Sequence, residues 1–433
     1  MSSSYNLSQI NEFTDLLSEN GNSLSFSLPG SNNILKLNNI ECRSSNNANY
    51  KIIRYDKNSM SVDLVSSYGL CRSVIINSNN NVVGFAPPKS VSCDVFISKY
   101  ENTENIIAEE FVEGTMINVF WDQTLGVSGG WEISTRNIVG ATSCFYKTFS
   151  VKSDESGGAT PVKSQPHKNF RDMFLEAANI NNISFSRLNP CYSYSFVLQH
   201  PDNRIVVPCK VPKLYLVAVY FIETTPNREI IVHPQDMEMI KKSDWTGTTI
   251  YFPERYTFNS YSELVDKYGS MNTPYNVMGV VLYNTITGER AKIRNPVYEN
   301  VRNLRGNQPK LQYQFLCLRR EGKVGEFLKF YSENKKSFSE YRDGVHLFTT
   351  TLYENYVACY IKKERPLREF NEQYRSHMYN LHQIYINELM EDKRYVNKSL
   401  VKEYVNNIHP SLLMYCLNYQ MRKRRHDEFT SSK

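Results

Sequence analysis

The sequence has no long hydrophobic run. No apolar stretch approaches the ~20 residues that a membrane-spanning helix needs, and the first residues lack the basic-then-apolar order of a secretory signal. Both absences exclude the membrane and secreted classes and predict a soluble, intracellular protein that makes no membrane contact.

The sequence also has no CxxC pair. Its nine cysteines are dispersed along the chain: Cys42, Cys71, Cys93, Cys144, Cys191, Cys209, Cys317, Cys359 and Cys416. An odd, scattered set argues against a disulfide framework and against a zinc site. We therefore expect reduced thiols in a cytoplasmic compartment and no metal bound by cysteine.

Aromatic residues are abundant. The 433-residue chain is 41% hydrophobic and 13% aromatic, with 30 tyrosines and a formal net charge of +6. This length allows two or three domains, each with its own core. The modest positive charge fits an anionic partner but does not require one, because many soluble proteins share it.

Residue patterns divide the chain into four segments. Residues 1–45 are rich in Ser and Asn and predict a weakly ordered lead-in. Residues 46–308 show short β-branched and aromatic runs between Gly, Pro and Asn, which predict a mainly antiparallel sheet system with short helices at 170–178 and 262–269. Residues 309–421 show apolar positions every three or four residues, which predict an all-helical domain. Residues 422–433 form a basic tail.

One stretch of the β-rich segment carries a recognisable chemical pattern. It reads Glu109-Glu110-Phe111-Val112-Glu113-Gly114-Thr115-Met116-Ile117. It has the layout of an active-site strand and turn in which a lysine precedes x-acid-glycine and a hydroxyl residue, but Phe111 stands at the lysine position. Glu113-Gly114 could also be an ordinary hairpin turn, since such dipeptides are common.

Further motifs follow in order along the same segment. The list runs Arg72-Ser73-Val74-Ile75, Val82–Lys89, Ile97-Ser98-Lys99-Tyr100, Trp131–Arg136, Phe196–Val206, Met278-Gly279-Val280-Val281 and Lys292-Ile293-Arg294. Each motif is weak alone, and their shared order is the stronger signal. Together they resemble the RNA ligase 1-like group of the covalent nucleotidyltransferase superfamily, and most of all the divergent ligase-like proteins of large DNA viruses.

The resemblance implies a fold and a set of site residues. The expected fold is α+β, a nucleotidyltransferase (ligase adenylation) fold of mainly antiparallel sheets with flanking helices, followed by the C-terminal all-helical domain. The expected cofactor is ATP, and the expected partner is RNA or another nucleic acid. For a viral protein, the host cytoplasm or the virion is the expected location. The implied nucleotide-binding residues are Arg72, Glu113, Gly114, Arg136, Lys292 and Arg294.

The departures from the family pattern fall at the groups that do chemistry. A phenyl ring has no lone pair with which to attack the α-phosphate of ATP, so Phe111 cannot carry AMP. Ser195 and Met278 stand where the family has carboxylates. A Mg²⁺ site needs oxygen ligands that Met and Phe do not supply, so the sequence argues against a Mg²⁺ site of the family's kind and predicts no metal ligands.

Three hypotheses follow. The first is a pseudo-ligase that binds nucleotide or RNA. The second is an active ATP-dependent RNA ligase whose nucleophile has moved to Lys99 or Lys292. The third is a structural or packaged virion protein that uses the fold as an interaction surface. A basic region after the last motif predicts a track for a polynucleotide backbone or, equally well, a solvated charged face. Its members are Arg302, Arg305, Lys310, Arg319 and Arg320.

Overall fold

Antiparallel strands build the first part of the chain and helices build the last part. A computed structural model describes residues 3–18, 33–42, 48–144, 151–153, 159–161 and 168–423. Two compact units divide the chain: unit 1 comprises residues 1–145 and 166–302, and unit 2 comprises residues 146–165 and 303–433. The predicted α+β class with a helical C-terminal region is confirmed.

The strands are short, and every pair of named strands is antiparallel. In chain order they are β1 Tyr5–Asn6, β2 Leu35–Cys42, β3 Ala48–Tyr55, β4 Val74–Ile76, β5 Val82–Phe85, β6 Ile106–Glu110, β7 Thr115–Asp122, β8 Gly130–Ser134, β9 Val151–Ser153, β10 Ala159–Pro161, β11 Tyr192–Gln199, β12 Lys213–Thr224, β13 Ile230–Pro234, β14 Arg255–Tyr256, β15 Gly279–Asn284 and β16 Arg290–Arg294.

The α-helices alternate with the strands in unit 1 and then follow one another in unit 2. In chain order they are α1 Asn11–Ser18, α2 Val65–Tyr68, α3 Cys93–Lys99, α4 Phe170–Ile180, α5 Met237–Lys242, α6 Tyr261–Tyr268, α7 Pro296–Arg305, α8 Leu311–Arg320, α9 Val324–Phe330, α10 Lys335–Tyr356, α11 Glu372–Ile384, α12 Lys398–Asn407 and α13 Pro410–Leu417. Among the described residues, no helix is both long and apolar enough to cross a membrane.

Three sheets form the body of unit 1. The largest has the strand order β1-β13-β12-β11-β7-β8, and two four-stranded sheets have the orders β14-β6-β15-β16 and β2-β3-β4-β5. Helix α4 packs on one face of the six-stranded sheet through Phe170 and Phe174. The β2–β5 sheet packs against the same sheet through residues such as Ile53 and Val74, which meet Val232.

The sheet that carries β6 and β16 is covered on one face by α3 and α6. Phe96 of α3 and Leu264 of α6 lie in one buried cluster with Val280, Ala291 and Ile293. Alternate residues of a strand point to opposite faces, so Arg290, Lys292 and Arg294, which alternate with Ala291 and Ile293, face the other way. That opposite face positions the candidate site.

The structure differs from the predicted lead-in over residues 1–45. Tyr5, Phe13 and Leu35 are buried in the core that joins two sheets of unit 1, and Tyr5 pairs with Val232 across the sheet. A Ser- and Asn-rich composition indicated weak order, but a few buried apolar side chains and a sheet partner are enough to fix these described segments. Residues 19–32 and 43–45 lie outside the described residues.

Unit 2 is helical in its described residues after Asn303. Helix α10 buries Phe338, Val345, Phe348 and Leu352 at the three- and four-residue spacing of a helix face. The division between the units falls at Arg302, inside α7, which is six residues before the predicted domain boundary at 308. Helix α13 is followed by a further helical stretch that includes Arg422 and Lys423, and the rest of the predicted tail lies outside the described residues.

Candidate functional site

The segment Phe111–Gly114 joins two different sheets. It leaves β6, which belongs to the four-stranded sheet, and enters β7, which belongs to the six-stranded sheet. The Phe111 N–H donates to the carbonyl of Gly279 at 3.1 Å, which continues the pairing of Glu110 with Val280. Because β6 and β7 are not partners, the hairpin alternative is wrong, and the turn is a crossing between sheets.

At Gly114 the backbone of the crossing passes very close to Val197 and Leu198 of β11. Its φ is +150°, and a Cβ at this position would lie 2.5 Å from the carbonyl oxygen of Leu198 and 2.6 Å from Val197 Cγ1. A side chain at such a φ is strained and here has no room. The fold therefore requires glycine at this position.

The carboxylate of Glu113 is buried and engaged with the protein itself. Its oxygens accept the backbone N–H groups of Val206 and Val207 at 3.1 to 3.2 Å and a hydrogen bond from Tyr298. Burial raises the pKa of Glu113, and these donors oppose that rise. With most of its lone pairs used, Glu113 holds the segment after β11 against the crossing.

Strand β16 presents three cations on one face. Arg290, Lys292 and Arg294 alternate with Ala291 and Ile293, which are buried on the other face. The Nζ of Lys292 lies 4.2 Å from the centroid of the Phe111 ring, and Cζ of Arg294 lies 5.6 Å from the same centroid. Lys292 thus places an amine beside the Phe111 ring.

Two further arginines belong to the same charged region. Arg136 donates through Nε to the carbonyl of Arg72 at 3.4 Å and lies with its Cζ 4.8 Å from the ring centroid of Tyr55. Its Nη2 is buried and, among the described residues, has no hydrogen-bond partner. Arg72 donates to the carbonyl of Pro87 at 3.4 Å. Both guanidinium groups have donors left for another acceptor.

The pKa values of Lys292 and Arg72 are lowered by burial and by neighbouring cations. Burial lowers the pKa of Lys292 to about 6, and Arg290, Arg72, Arg294 and Arg302 lower it further in that order of effect. Burial and the charge of Arg290 lower the pKa of Arg72 to about 10, with Arg136 contributing in the same direction. We call Arg72, Arg136, Arg290 and Lys292 the cationic cluster. In the described part of the chain, no carboxylate forms an ion pair with any of its four members.

A cavity of about 360 Å³ opens beside the crossing. Phe111, Glu110, Lys213, Tyr215, Tyr256 and Met278 are among its lining residues. Burial raises the pKa of Glu110. The volume falls in the range of small-ligand sites, and the aromatic rings and the carboxyl group give both apolar and polar lining.

Sequence reasoning missed several of these residues. Arg290 was not among the predicted residues, although it continues the two-residue alternation of Lys292 and Arg294. Lys213, Tyr215 and Tyr256 carry no motif of their own. They line the cavity because residues of β12 and β14 border it, which depends on sheet pairing that no short pattern records.

Comparisons with known proteins give two sequence relatives. The chain is 25% identical over 289 residues to the immediate-early protein ICP-46 homolog of Invertebrate iridescent virus 6, covering 62% of this chain and 56% of that protein. It is 22% identical over 303 residues to the RNA ligase of Rhodothermus phage RM378, covering 63% of this chain and 64% of that protein. The chain is similar to RNA ligase-like nucleotidyltransferases.

The matched part is less than two thirds of the length of either relative. No protein-family model matches the chain. Solved structures of the Naegleria gruberi RNA ligase also match it at 12% identity. One, with ATP and Mn, has a TM-score of 0.31 and covers 49% of this chain and 56% of that chain. Another, with AMP and Mn, has a TM-score of 0.32 and covers 50% and 57%.

Ser195 and Met278, which the resemblance places at carboxylate positions, make neutral contacts. Ser195 is fully buried and donates to Oδ1 of Asn118 at 2.9 Å. Met278 lines the cavity, and its carbonyl accepts the Asn295 N–H at 3.2 Å. Across the described residues, no group of three or more His, Cys, Asp or Glu side chains is placed to hold a metal ion.

Lys99, the other predicted site for a moved RNA ligase nucleophile, is engaged elsewhere. Its Nζ lies 2.9 Å from Oε2 of Glu289, and half of its side chain is exposed. The hydrogen bond to Glu289 raises the pKa of Lys99, so its amine stays protonated. The structure brings Lys292, and not Lys99, to Phe111.

The predicted nucleic-acid residues differ in their surroundings. Lys310 and Arg320 are exposed. Arg302 pairs with Glu299 at 3.4 Å, Arg305 has its Cζ 5.9 Å from the ring centroid of Tyr331, and Arg319 donates to Asn406. Lys310 and Arg320 therefore present largely solvated charges. A polynucleotide role for this region stays a prediction.

Proposed function

We propose that unit 1 binds the phosphates of a nucleotide, with ATP as the first candidate, and that the protein is an RNA ligase-like binding protein. The cationic cluster carries this proposal. Arg290 lowers the pKa of both Arg72 and Lys292, Arg136 lowers that of Arg72, and no carboxylate of the described residues forms an ion pair with any of the four cations.

A bound anion would offset the electrostatic repulsion within the cationic cluster. Half-buried like charges repel, and each loses part of its hydration. Guanidinium groups bind phosphate oxygens through paired N–H donors, and the buried Nη2 of Arg136 supplies a donor with no described partner. A polyphosphate supplies several negative charges and acceptor oxygens at once.

The cavity supplies a place for the rest of the nucleotide. Phe111 borders both the cavity and Lys292, so the two features meet at one ring. We assign the base and ribose to the cavity and the phosphates to the cationic cluster. In this assignment Gly114 and Glu113 shape the site, because the Glu113 carboxylate already serves backbone donors, and Arg294 borders it beside Phe111.

RNA is the macromolecular partner that we propose. One relative is named an RNA ligase, and unit 2 exposes Lys310 and Arg320. Because Phe111 has no nucleophilic atom, we do not assign ligation through the family's own lysine position. A protein that bound neither nucleotide nor RNA would instead fit the third hypothesis, a structural role for the fold.

Calorimetric titration of the full chain with ATP tests the proposal. We expect Arg136→Ala and Arg72→Ala each to weaken ATP binding by about tenfold or more, since a hydrogen bond to a charged group contributes ~1.5–3 kcal/mol. Lys57→Ala is the matched control, because Lys57 is an exposed cation of unit 1 outside the cationic cluster. Equal affinities for all three variants, or no ATP binding by the unaltered chain, would overturn it.

A further inference from the structure

Two buried serines lie next to the arginines of the cationic cluster. Ser73 and Ser134 are fully buried, and among the described residues neither hydroxyl oxygen has a hydrogen-bond partner. Ser73 directly follows Arg72, and Ser134 lies two residues before Arg136. Because Arg136 donates to the carbonyl of Arg72, the chain brings both serines to the same pair of guanidinium groups.

Strand alternation directs both hydroxyls into the space between two sheets. Ser134 lies on the same face of the six-stranded sheet as Phe120 of β7, whose ladder partner is two residues before Ser134. The carbonyl of Ser73 accepts the Ala86 N–H at 3.1 Å, which continues the pairing of β4 with β5. Ser73 therefore shares a face with Ile75, two residues further on. Phe120 and Ile75 pack in one buried cluster, so the two serines point into the space between their sheets.

This space suits a ligand that is rich in acceptor oxygens. A buried polar group without a hydrogen bond raises the free energy of the folded chain, and Nη2 of Arg136 is a third buried donor with no described partner. A phosphate group offers several oxygens, which could accept from the two hydroxyls and from the guanidinium groups together.

The carboxylates around the crossing do not fit a resident divalent metal. Glu113 accepts backbone N–H groups, and Glu109 forms an ion pair with Arg255 at 3.4 Å. Glu110 shares its face of β6 with Ala108, which is buried in the cluster beneath α3 and α6, so it lies on the opposite face of that sheet from the cations of β16. Protein-bound Mg²⁺ usually needs one or two carboxylates in addition to phosphate oxygens.

A Mg²⁺ ion on the phosphates would also add two positive charges beside Arg72 and Arg136, which already repel one another. We infer that the protein binds a nucleoside polyphosphate in its metal-free form, with the hydroxyls of Ser73 and Ser134 and the two guanidinium groups contacting the phosphate oxygens that a metal ion would otherwise hold. This inference rests on the proposed function, because the polyphosphate must bind at the cationic cluster.

Calorimetric titration of the full chain with ATP, in excess EDTA and in excess Mg²⁺ at one ionic strength, tests the inference. We expect the Kd to be at least tenfold higher in Mg²⁺, because the chelated ATP carries two fewer negative charges. Equal or tighter binding in Mg²⁺ would overturn the inference and leave the proposed function standing. The absence of ATP binding in both buffers would overturn both.

Serine variants separate direct contact from a general attraction to positive charge. Ser73→Ala and Ser134→Ala should each raise the Kd for ATP in EDTA by about tenfold or more, since each loses a hydrogen bond to a charged group. Ser128→Ala, at an exposed serine of unit 1, should bind ATP as the unaltered chain does. Unchanged ATP affinity in both buried-serine variants would overturn the assignment of the hydroxyls, even if Mg²⁺ weakens binding.

The stability of the ligand-free variants distinguishes a binding role from a structural one. Because neither hydroxyl has a partner among the described residues, we expect Ser73→Ala and Ser134→Ala to leave the free energy of unfolding unchanged or raised. Urea denaturation without ATP measures it. A marked loss of stability in both variants would show that the hydroxyls serve the fold, and it would overturn their assignment to the phosphates.

Discussion

Phe111 and Lys292 are far apart in sequence and neighbours in the fold. The Nζ of Lys292 lies 4.2 Å from the centroid of the Phe111 ring. The sequence showed the phenyl ring directly, because Phe111 is a single letter in a recognisable pattern. It could not show the amine beside that ring, because the proximity of residues 111 and 292 depends on sheet pairing over a long separation.

The depressed pKa of Lys292 predicts a pH-dependent cost in stability. Between pH 10 and pH 6 the unfolded chain holds this proton and the folded chain does not, so the free energy of unfolding falls as pH falls through that range. We expect the stability of Lys292→Met relative to the unaltered chain to rise by about 1–3 kcal/mol as pH falls towards 6, with the difference independent of pH above pH 10. Urea denaturation at several pH values measures it. The control Lys57→Met should show a constant offset, and a constant offset for Lys292→Met as well would contradict the shift.

The buried carboxylate of Glu113 gives a second prediction at this scale. Glu113→Gln replaces one acceptor oxygen by an NH₂ group that faces the Val206 and Val207 N–H donors. We expect a loss of about 1–3 kcal/mol in the free energy of unfolding, the usual cost of an unsatisfied buried polar group. Denaturation curves check this. Gln199 is only partly buried and donates to the carbonyl of Glu113, so Gln199→Ala should cost less.

At the scale of elements, alternation and helical spacing predicted much of what the structure contains. The short helices predicted at 170–178 and 262–269 correspond to α4 and α6. The assignment of strands to sheets was not predictable, because β6 and β7 are consecutive in sequence yet belong to different sheets. Local patterns record which side of a strand is apolar, and they do not record its partners.

The crossing between these sheets predicts a severe effect for one small substitution. In Gly114→Ala, the added methyl would overlap the Leu198 carbonyl and the Val197 side chain, so we expect unfolding to become easier by more than about 2 kcal/mol. Gly126→Ala is the matched control, since Gly126 has φ +63° with nothing within 4 Å of an added Cβ. Its cost should stay near the ~1 kcal/mol of backbone strain alone. Thermal or urea denaturation separates the two, and equal costs would argue against the close approach.

At the scale of the molecule, the cations of the two units differ in their exposure to solvent. The cationic cluster of unit 1 is half-buried and mutually repelling, whereas Lys310 and Arg320 of unit 2 are exposed. Half-buried clustered donors suit a compact anion, and exposed cations suit a long, flexible one whose counterions are released on contact. Sequence composition gave only the net charge of +6, which does not distinguish these two cases.

This difference predicts that the two ligands respond to different variants. We expect Arg320→Ala to weaken binding of single-stranded RNA and to reduce the slope of log K against log salt by about 0.7, the value for one phosphate contact, with ATP affinity unchanged. Fluorescence anisotropy between 50 and 200 mM salt measures the slope. Lys329→Ala, at an exposed position of unit 2 outside the predicted region, should leave the slope as it is. If both variants behave alike, the assignment of RNA to this region is wrong.

The crossing at residues 111–114 is secured by main-chain atoms. Its start is held by the Phe111 N–H on the Gly279 carbonyl, and its end by the glycine that lies against Leu198. Neither contact depends on which side chain residue 111 carries. The backbone of the crossing therefore sets no requirement on the chemistry of residue 111, so substitutions there can change what the cavity binds without changing how the two sheets are joined.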